Sequence, residues 1–272
     1  MASILDYLDW RGDITFAERP FNEVDNLLLA ELSYLDFGGI VTADFAAAVP
    51  LSDAVAAFTK RTPHADMGVL VPDKIPGLAQ KMAASARFRD VLLSGYVCKL
   101  DEQTETQFAA LCAALPDGTV YAAFRGTDDT IVGWKEDFNM AFSTVVPAQL
   151  DAVRYLSDVA ERTQGGIYLC GHSKGGNLAV YAAAFCAPEV QQRILGVRNF
   201  DGPGFTQQVL SQTGFARILP RVRTYLPRSS VVGMLLEHEE AFTIVESRSV
   251  GIYQHNVYQW EIARGGFVEL QQ

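Results

Sequence analysis

The feature that most limits the fold of this chain is Gly171-His172-Ser173-Lys174-Gly175, set between a strand pattern and a helix pattern. Ile167 to Cys170 is short and apolar, while Asn177 to Phe185 is rich in alanine and stops before Pro188. A serine that closes a strand and opens a helix sits on a sharp turn, and glycines on either side let strand and helix approach each other. Such a turn lifts the hydroxyl out at the carboxyl end of a sheet and aims the first helical amides at the same point. The plainer reading of these residues is an ordinary serine in a glycine-rich turn. Nucleotide chemistry does not fit: Ser173-Lys174 runs in the wrong order for a phosphate loop, and Asp201-Gly202-Pro203-Gly204 lacks the third glycine of a dinucleotide fingerprint.

The surrounding pattern predicts an α/β fold. Residues 1–90 read as helical: Asn22 with Asp25 forms a capping pattern ahead of a leucine-rich run to Leu35, and Pro76-Gly77 opens a helix through Met82 to Arg87. From Gly95 the texture changes. Tyr96 to Asp101 and Gln107 to Leu115 read as antiparallel strands leading into Thr119 to Phe124, an apolar run suited to the buried middle of a sheet. A helix from Pro147, with Leu150, Val153, Leu156 and Ala160 on one face, precedes the serine turn. Strands follow at Leu195 to Phe200, Val222 to Leu226 and Phe242 to Val245. Strands alternating with helices imply right-handed crossovers and a mostly parallel sheet.

A length of 272 residues suits one domain, with residues 1–90 as a helical N-terminal region and 95–272 as the catalytic core. The net charge of −10 argues against a nucleic-acid partner and against attraction to anionic membranes. No run approaches the ~18 apolar residues of a membrane span. Met1 to Asp6 also lacks the basic and apolar regions of a signal peptide, so a cytoplasmic protein without an integral membrane segment is expected. Cys98, Cys112, Cys170 and Cys186 lie far apart within apolar runs, without zinc-ligand spacing. They read as buried thiols, and neither a metal nor a cofactor is expected.

An activated serine needs a base, and in this kind of fold the acid and histidine follow the serine in the chain. His64 lies upstream and reads as a loop residue; His172 adjoins Ser173 and reads as a packing or hydrogen-bonding side chain. Of the other two, His255 sits in a loop beyond the strand ending at Val245, whereas His238 lies in the acidic Glu237-His238-Glu239-Glu240 and reads as solvated. His255 is the expected base, and His238 the alternative. Imidazole, with an ordinary pKa of about 6.5, suits taking a proton from serine near neutral pH. Asp201, at the carboxyl end of the strand after the nucleophile helix, is the expected acid; its other role would be to brace the Gly202-Pro203-Gly204 turn. After the next strand the chain offers Arg228-Ser229-Ser230 and no carboxylate.

Phe124-Arg125-Gly126-Thr127, then Trp134 and Asp137, then Gly171 to Ala179, resemble the class 3 lipases of the α/β-hydrolase superfamily. The whole chain looks closer still to a bacterial family of lipase-like proteins without an assigned function. That likeness runs from Asp6-Tyr7-Leu8-Asp9-Trp10 and Phe21 to Asp25, through Asn199 to Phe205, to Gln254-His255-Asn256 and Trp260. The resemblance implies an α/β-hydrolase fold with antiparallel strands leading a mostly parallel sheet. It also implies that Thr127 joins the Lys174 amide in an oxyanion hole. Class 3 lipases carry their acid where this chain has Ser229-Ser230; a carboxylate at Asp201 resembles instead the arrangement in pancreatic-type lipases. The implied activity is cleavage of a small-molecule or lipid ester through an acyl-enzyme on Ser173. A thioesterase or peptidase would use the same residues, and a non-catalytic binding or scaffold protein would account for the missing acid. Val231 to Leu236, strongly apolar, reads as an acyl-pocket lining, a flap or core.

Overall fold

The computed structural model describes residues 2–65, 67, 72–101, 103, 106–127 and 145–270. Among them, one sheet contains β1 (Val49–Pro50), β2 (Leu92–Asp101), β3 (Thr106–Ala114), β4 (Val120–Phe124), β5 (Ile167–His172), β6 (Ile194–Phe200), β7 (Val222–Pro227) and β8 (Phe242–Val245), in that spatial order. Strands β1 to β4 pair antiparallel, and β4 to β8 are parallel. Antiparallel leading strands, a parallel middle and a strand–serine–helix turn after β5 make this an α/β-hydrolase fold, as the sequence pattern predicts.

Period-two alternation divides the sheet residues between two cores. Ala110, Cys112, Ala122, Phe124 and Leu169 face α5 (Pro147–Arg162) and α6 (Lys174–Phe185). On the other side Leu111, Ala113, Tyr121, Ala123 and Cys170 face the N-terminal helices α1 (Ile4–Arg11), α2 (Glu23–Leu32), α3 (Leu51–Arg61) and α4 (Ile75–Ala84). The capping box that starts α2 is formed: Asn22 Oδ1 accepts from the amides of Val24 and Asp25, and Asp25 Oδ2 accepts from the Asn22 amide at 2.9 Å.

Asp25 has a second task. Its carboxylate receives Arg87 Nε at 2.9 Å and Nη2 at 2.5 Å, with both side chains fully buried. Tyr7 donates to the same carboxylate at 2.8 Å, and the remaining Arg87 donors reach the carbonyls of Ile14, Arg19 and Pro20. A buried ion pair is tolerated only when the surplus donors and lone pairs are satisfied in this way.

Four expectations change. Strand β2 starts at Leu92, because Gly95, with φ +61°, is a bulge inside the strand rather than its boundary; the register shifts between Ser94 and Val97. Beyond that bulge the strand end turns to solvent, so Cys98 is exposed while the other three thiols are buried. In α5 the buried stripe is Ala148, Ala152, Tyr155, Leu156 and Val159; Leu150 points outward, since Tyr155 and its neighbours rotate the apolar face away from it. After His255, where Val257 to Ala263 and Phe267 to Leu270 read in sequence as a hairpin around Arg264-Gly265-Gly266, the pairing is confined to Ile262–Ala263 with Gly266–Phe267. Around it the chain lies along β8 through bridges Val245–Glu269 and Ser247–Trp260, covering an edge that would otherwise expose unpaired backbone. Among the described residues no helix is long and apolar enough to cross a membrane.

Removing one member of the Asp25–Arg87 pair strands the other in a dry interior. Asp25→Ala is therefore expected to cost about 3–5 kcal/mol of unfolding free energy in urea titrations, and a loss below ~1 kcal/mol would overturn the assignment.

Candidate active site

Ser173 stands between β5 and α6 with φ 57° and ψ −133°, a conformation costly for a residue with a Cβ. The turn is fixed by backbone bonds: the Ser173 amide donates to Phe200 O, and the Gly176 amide to Ser173 O, both at 2.9 Å. Two glycines make the bend possible. A Cβ on Gly171 would run into the backbone of Gly175, and one on Gly175 would run into the Phe124 carbonyl of β4. Ser173 is half-buried among neighbours that are fully buried.

Asp201 follows β6, is completely buried and has φ 51°. Aspartate tolerates this left-handed region better than most residues. Its amide donates to Tyr225 O at 2.9 Å, and the Gly202 amide donates to Asn199 Oδ1 at 2.9 Å. Asn177 of α6 donates to the carbonyls of Pro203 and Gly204, closing the turn. From this support Asp201 Oδ2 accepts from His255 Nδ1 at 2.7 Å. Asp201 Oδ1 accepts from the Ser230 hydroxyl, so the segment after β7, which offers no carboxylate, holds a donor to the Asp201 carboxyl.

The His255 loop is braced by Gln254, which accepts from the Ser229 amide and donates to Ser249 O, each at 2.8 Å; Trp260 Nε1 donates to Gln254 O at 2.8 Å. The His255 side chain is 23% exposed. Its ring lies 4.5 Å, centroid to centroid, from that of His172, the residue before Ser173. Among the described residues no hydrogen bond joins the Ser173 hydroxyl to the His255 ring, a contact often loose until substrate binds.

His172 is buried, and its Nε2 lies 3.0 Å from the His255 carbonyl, which can only accept. That nitrogen therefore carries the proton, and Nδ1 faces the Tyr34 hydroxyl at 3.3 Å and Glu31 Oε1 at 3.4 Å as an acceptor. Burial, then the neighbouring His255, hold the His172 pKa well below the usual imidazole value. Glu31 is fully buried beneath it; burial pushes its carboxyl up to about 8, weakly opposed by the Tyr258 hydroxyl.

Lys174 opens α6, where the first amides have no intrahelical acceptor to reach. Its side chain is buried, and Nζ donates to Gln107 O and Oε1 at 3.0 and 2.7 Å. Gly126 packs against Ser173: a Cβ there would stand 3.2 Å from Ser173 Cβ, which brings the segment ending in half-buried Thr127 alongside the turn. Trp134 and Asp137 lie outside the described residues.

Two further expectations are corrected. His238 is not solvated: its side chain is 8% exposed, and both ring nitrogens are engaged, by Glu240 Oε1 at 2.7 Å and Gly233 O at 2.5 Å. Val231, Met234 and Leu235 are not core but half or more exposed, as are Val250, Ile252 and Tyr253 just before His255. His64 is an exposed loop residue, as expected. Sequence reasoning missed Glu31, Tyr34, Ser230 and Gln254; only Ser230 carried a signal, as part of the carboxylate-free Arg228-Ser229-Ser230 after β7.

The model of the Mbeg1-like family matches residues 82–272, so Asp6 to Trp10 and Phe21 to Asp25 lie outside the match. No curated protein matches the chain in sequence. Among solved structures the chain is similar to M37 lipase, at 13% identity over 76% of this chain and 68% of that one, with a TM-score of 0.45. It is also similar to the native Rhizomucor miehei lipase propeptide complex, at 15% identity over 80% and 68%, TM-score 0.44. A mutant form of MDLA from Penicillium cyclopium shows 12% identity over 82% and 78%, TM-score 0.42.

Glu31 yields a pH prediction. Its carboxyl ionises near 4.5 when unfolded and near 8 when folded, so between these values the folded chain holds the extra proton. That contribution to stability is complete below pH 4.5 and is lost as pH rises to about 8, at up to ~1.4 kcal/mol per pH unit. Glu31→Gln is expected to flatten this fall in urea midpoints measured from pH 5 to 8; an unchanged slope would refute it.

Proposed function

This chain belongs to the Mbeg1-like family, and on that footing we propose that it is a serine hydrolase cleaving carboxylic esters through an acyl-enzyme on Ser173. The observation that carries the reading is the His255–Asp201 bond of 2.7 Å, formed beside a serine held in a costly backbone conformation at the end of β5.

In the proposed reaction His255 Nε2 takes the Ser173 proton as Oγ bonds to the ester carbonyl carbon. The carbonyl π electrons move to oxygen, and the amides of Lys174 and Thr127 receive the oxyanion; such donors are typically worth about 3–4 kcal/mol each. Collapse breaks the bond to the alcohol, which leaves with the proton from His255. Water, deprotonated by the same ring, then attacks the acyl carbon, and Ser173 regains its proton as the acid departs. Asp201, accepting from Nδ1, keeps the ring in the tautomer that presents Nε2 as base. The exposed Val231, Met234 and Leu235 next to Ser230, and Val250 and Ile252 before His255, offer apolar surface for the acyl or alcohol part of the ester.

A non-catalytic binding or scaffold role draws on one observation, the missing hydrogen bond between Ser173 and His255. A fluorophosphonate probe separates the two, because it reacts only with an activated serine. Wild type is expected to label and to hydrolyse p-nitrophenyl esters. Ser173→Ala and His255→Ala should each lose on the order of 10³-fold or more in kcat, and Asp201→Asn on the order of 10⁴-fold. A folded wild-type chain that stays unlabelled would end the hydrolase reading, and thioester and peptide substrates run beside the esters fix the class of bond cleaved.

A further inference from the structure

His238 and Glu240 lie between Ser230 and β8, outside the residues assigned above to bond cleavage. Their side chains are 8% and 1% exposed. His238 Nδ1 is 2.7 Å from Glu240 Oε1, and Nε2 is 2.5 Å from the Gly233 carbonyl. A carbonyl oxygen only accepts, and Glu240 Oε1 also receives the Thr224 hydroxyl at 2.6 Å. With acceptors facing both ring nitrogens, only the doubly protonated imidazolium satisfies the two contacts. The charged groups facing this ring are Glu240 on its own segment and Asp201 from the end of β6.

The electrostatics agree. Burial alone would strip the proton from His238, but the bond to Glu240 and its charge outweigh burial and raise the pKa above the usual 6.5. Burial would likewise raise Glu240, yet the bond and charge of His238 bring it below the ordinary glutamate value.

From Gly233 a run of contacts leads to the acid. The Gly233 amide donates to Ser230 Oγ at 2.9 Å, and the Ser230 hydroxyl donates to Asp201 Oδ1. A Cβ on Gly233 would collide with that same carboxyl oxygen, so its backbone lies directly on Asp201. The segment is also held by the amides of Gly204 and Phe205, which donate to Leu235 O and Glu237 O. We propose that His238 is a positioning residue: its doubly protonated ring pins Gly233 and, through Ser230, aims the Asp201 carboxyl at His255. The catalytic consequence rests on the hydrolase reading; the tether itself rests on geometry alone. When the second proton leaves, a ring lone pair faces an acceptor, and one of the two contacts turns repulsive.

The sign follows. The tether is complete at pH values below 6.5 and fails as pH rises through the raised pKa of the folded ring, so kcat acquires an alkaline fall. Nitrogen NMR of the ring in the full chain is expected to show both nitrogens protonated at pH 7. The Gly233 amide shift should move with the same midpoint as the ring. In ester hydrolysis the alkaline fall of wild-type kcat should share that midpoint. His238→Gln, an amide donor without a titrating proton, should abolish the fall while keeping kcat within about threefold. His238→Phe should lower kcat about tenfold at every pH with KM within twofold, as for one lost charge-assisted bond. A merely structural role would change the yield of folded protein and leave the alkaline midpoint where it was. A ring singly protonated at pH 7, a Gly233 amide indifferent to its titration, or an alkaline limb that persists in His238→Gln overturns the proposal. If ring and Gly233 titrate together but no chain reacts with fluorophosphonate, the hydrolase reading falls and the tether stands.

Discussion

One buried carboxyl gathers the carboxyl end of this sheet. Asp201 is wholly removed from water, and such a group persists only where its oxygens find donors. One oxygen takes the ring of His255 and the other the hydroxyl of Ser230. Two loops from different parts of the chain, one after β7 and one after β8, are thus tied to a single point at the end of β6. The point itself does not drift, because Asn199 and Asn177 fasten the turn behind it. The loop after β7 supplies the Ser230 hydroxyl rather than a carboxylate, so the carboxyl that holds His255 comes from the end of β6.

Much of this was legible in the residues. The glycine-flanked serine, the apolar strand before it and the alanine-rich helix after it fall as predicted, because short-range sterics decide them: strand β5 ends at His172 and α6 begins at Lys174. The pairing of His255 with Asp201 was reachable by elimination among four histidines and the carboxylates after β5. Where local pattern misled, tertiary packing was the reason. Leucine at 150 looks like core on a helical wheel, but aromatic Tyr155 fills the space against β3 and β4 and turns Leu150 outward. His238 looks solvated among glutamates, yet one of those glutamates is buried with it.

The N-terminal helices had no functional signal at all, and the Mbeg1-like match begins after most of them. Still, α2 and the turn after it place Glu31 and Tyr34 beneath His172, whose Nε2 holds the backbone of His255. The contacts of Glu31 and Tyr34 with His172 span more than a hundred residues of chain and leave no spacing to read. The sheet face under the Ser173 turn is therefore furnished by residues whose own sequence resembles only a leucine-rich helix.

The strand order has a consequence for biosynthesis. Each strand of the sheet neighbours its predecessor in the chain, so for every new strand a polypeptide leaving the ribosome has already extruded the pairing partner. Every residue of the bend between β5 and α6 is extruded well before His255 has been translated. A half-synthesised chain thus holds Ser173 and its flanking glycines without the ring of His255, and the tie at Asp201 closes only when the later loops dock.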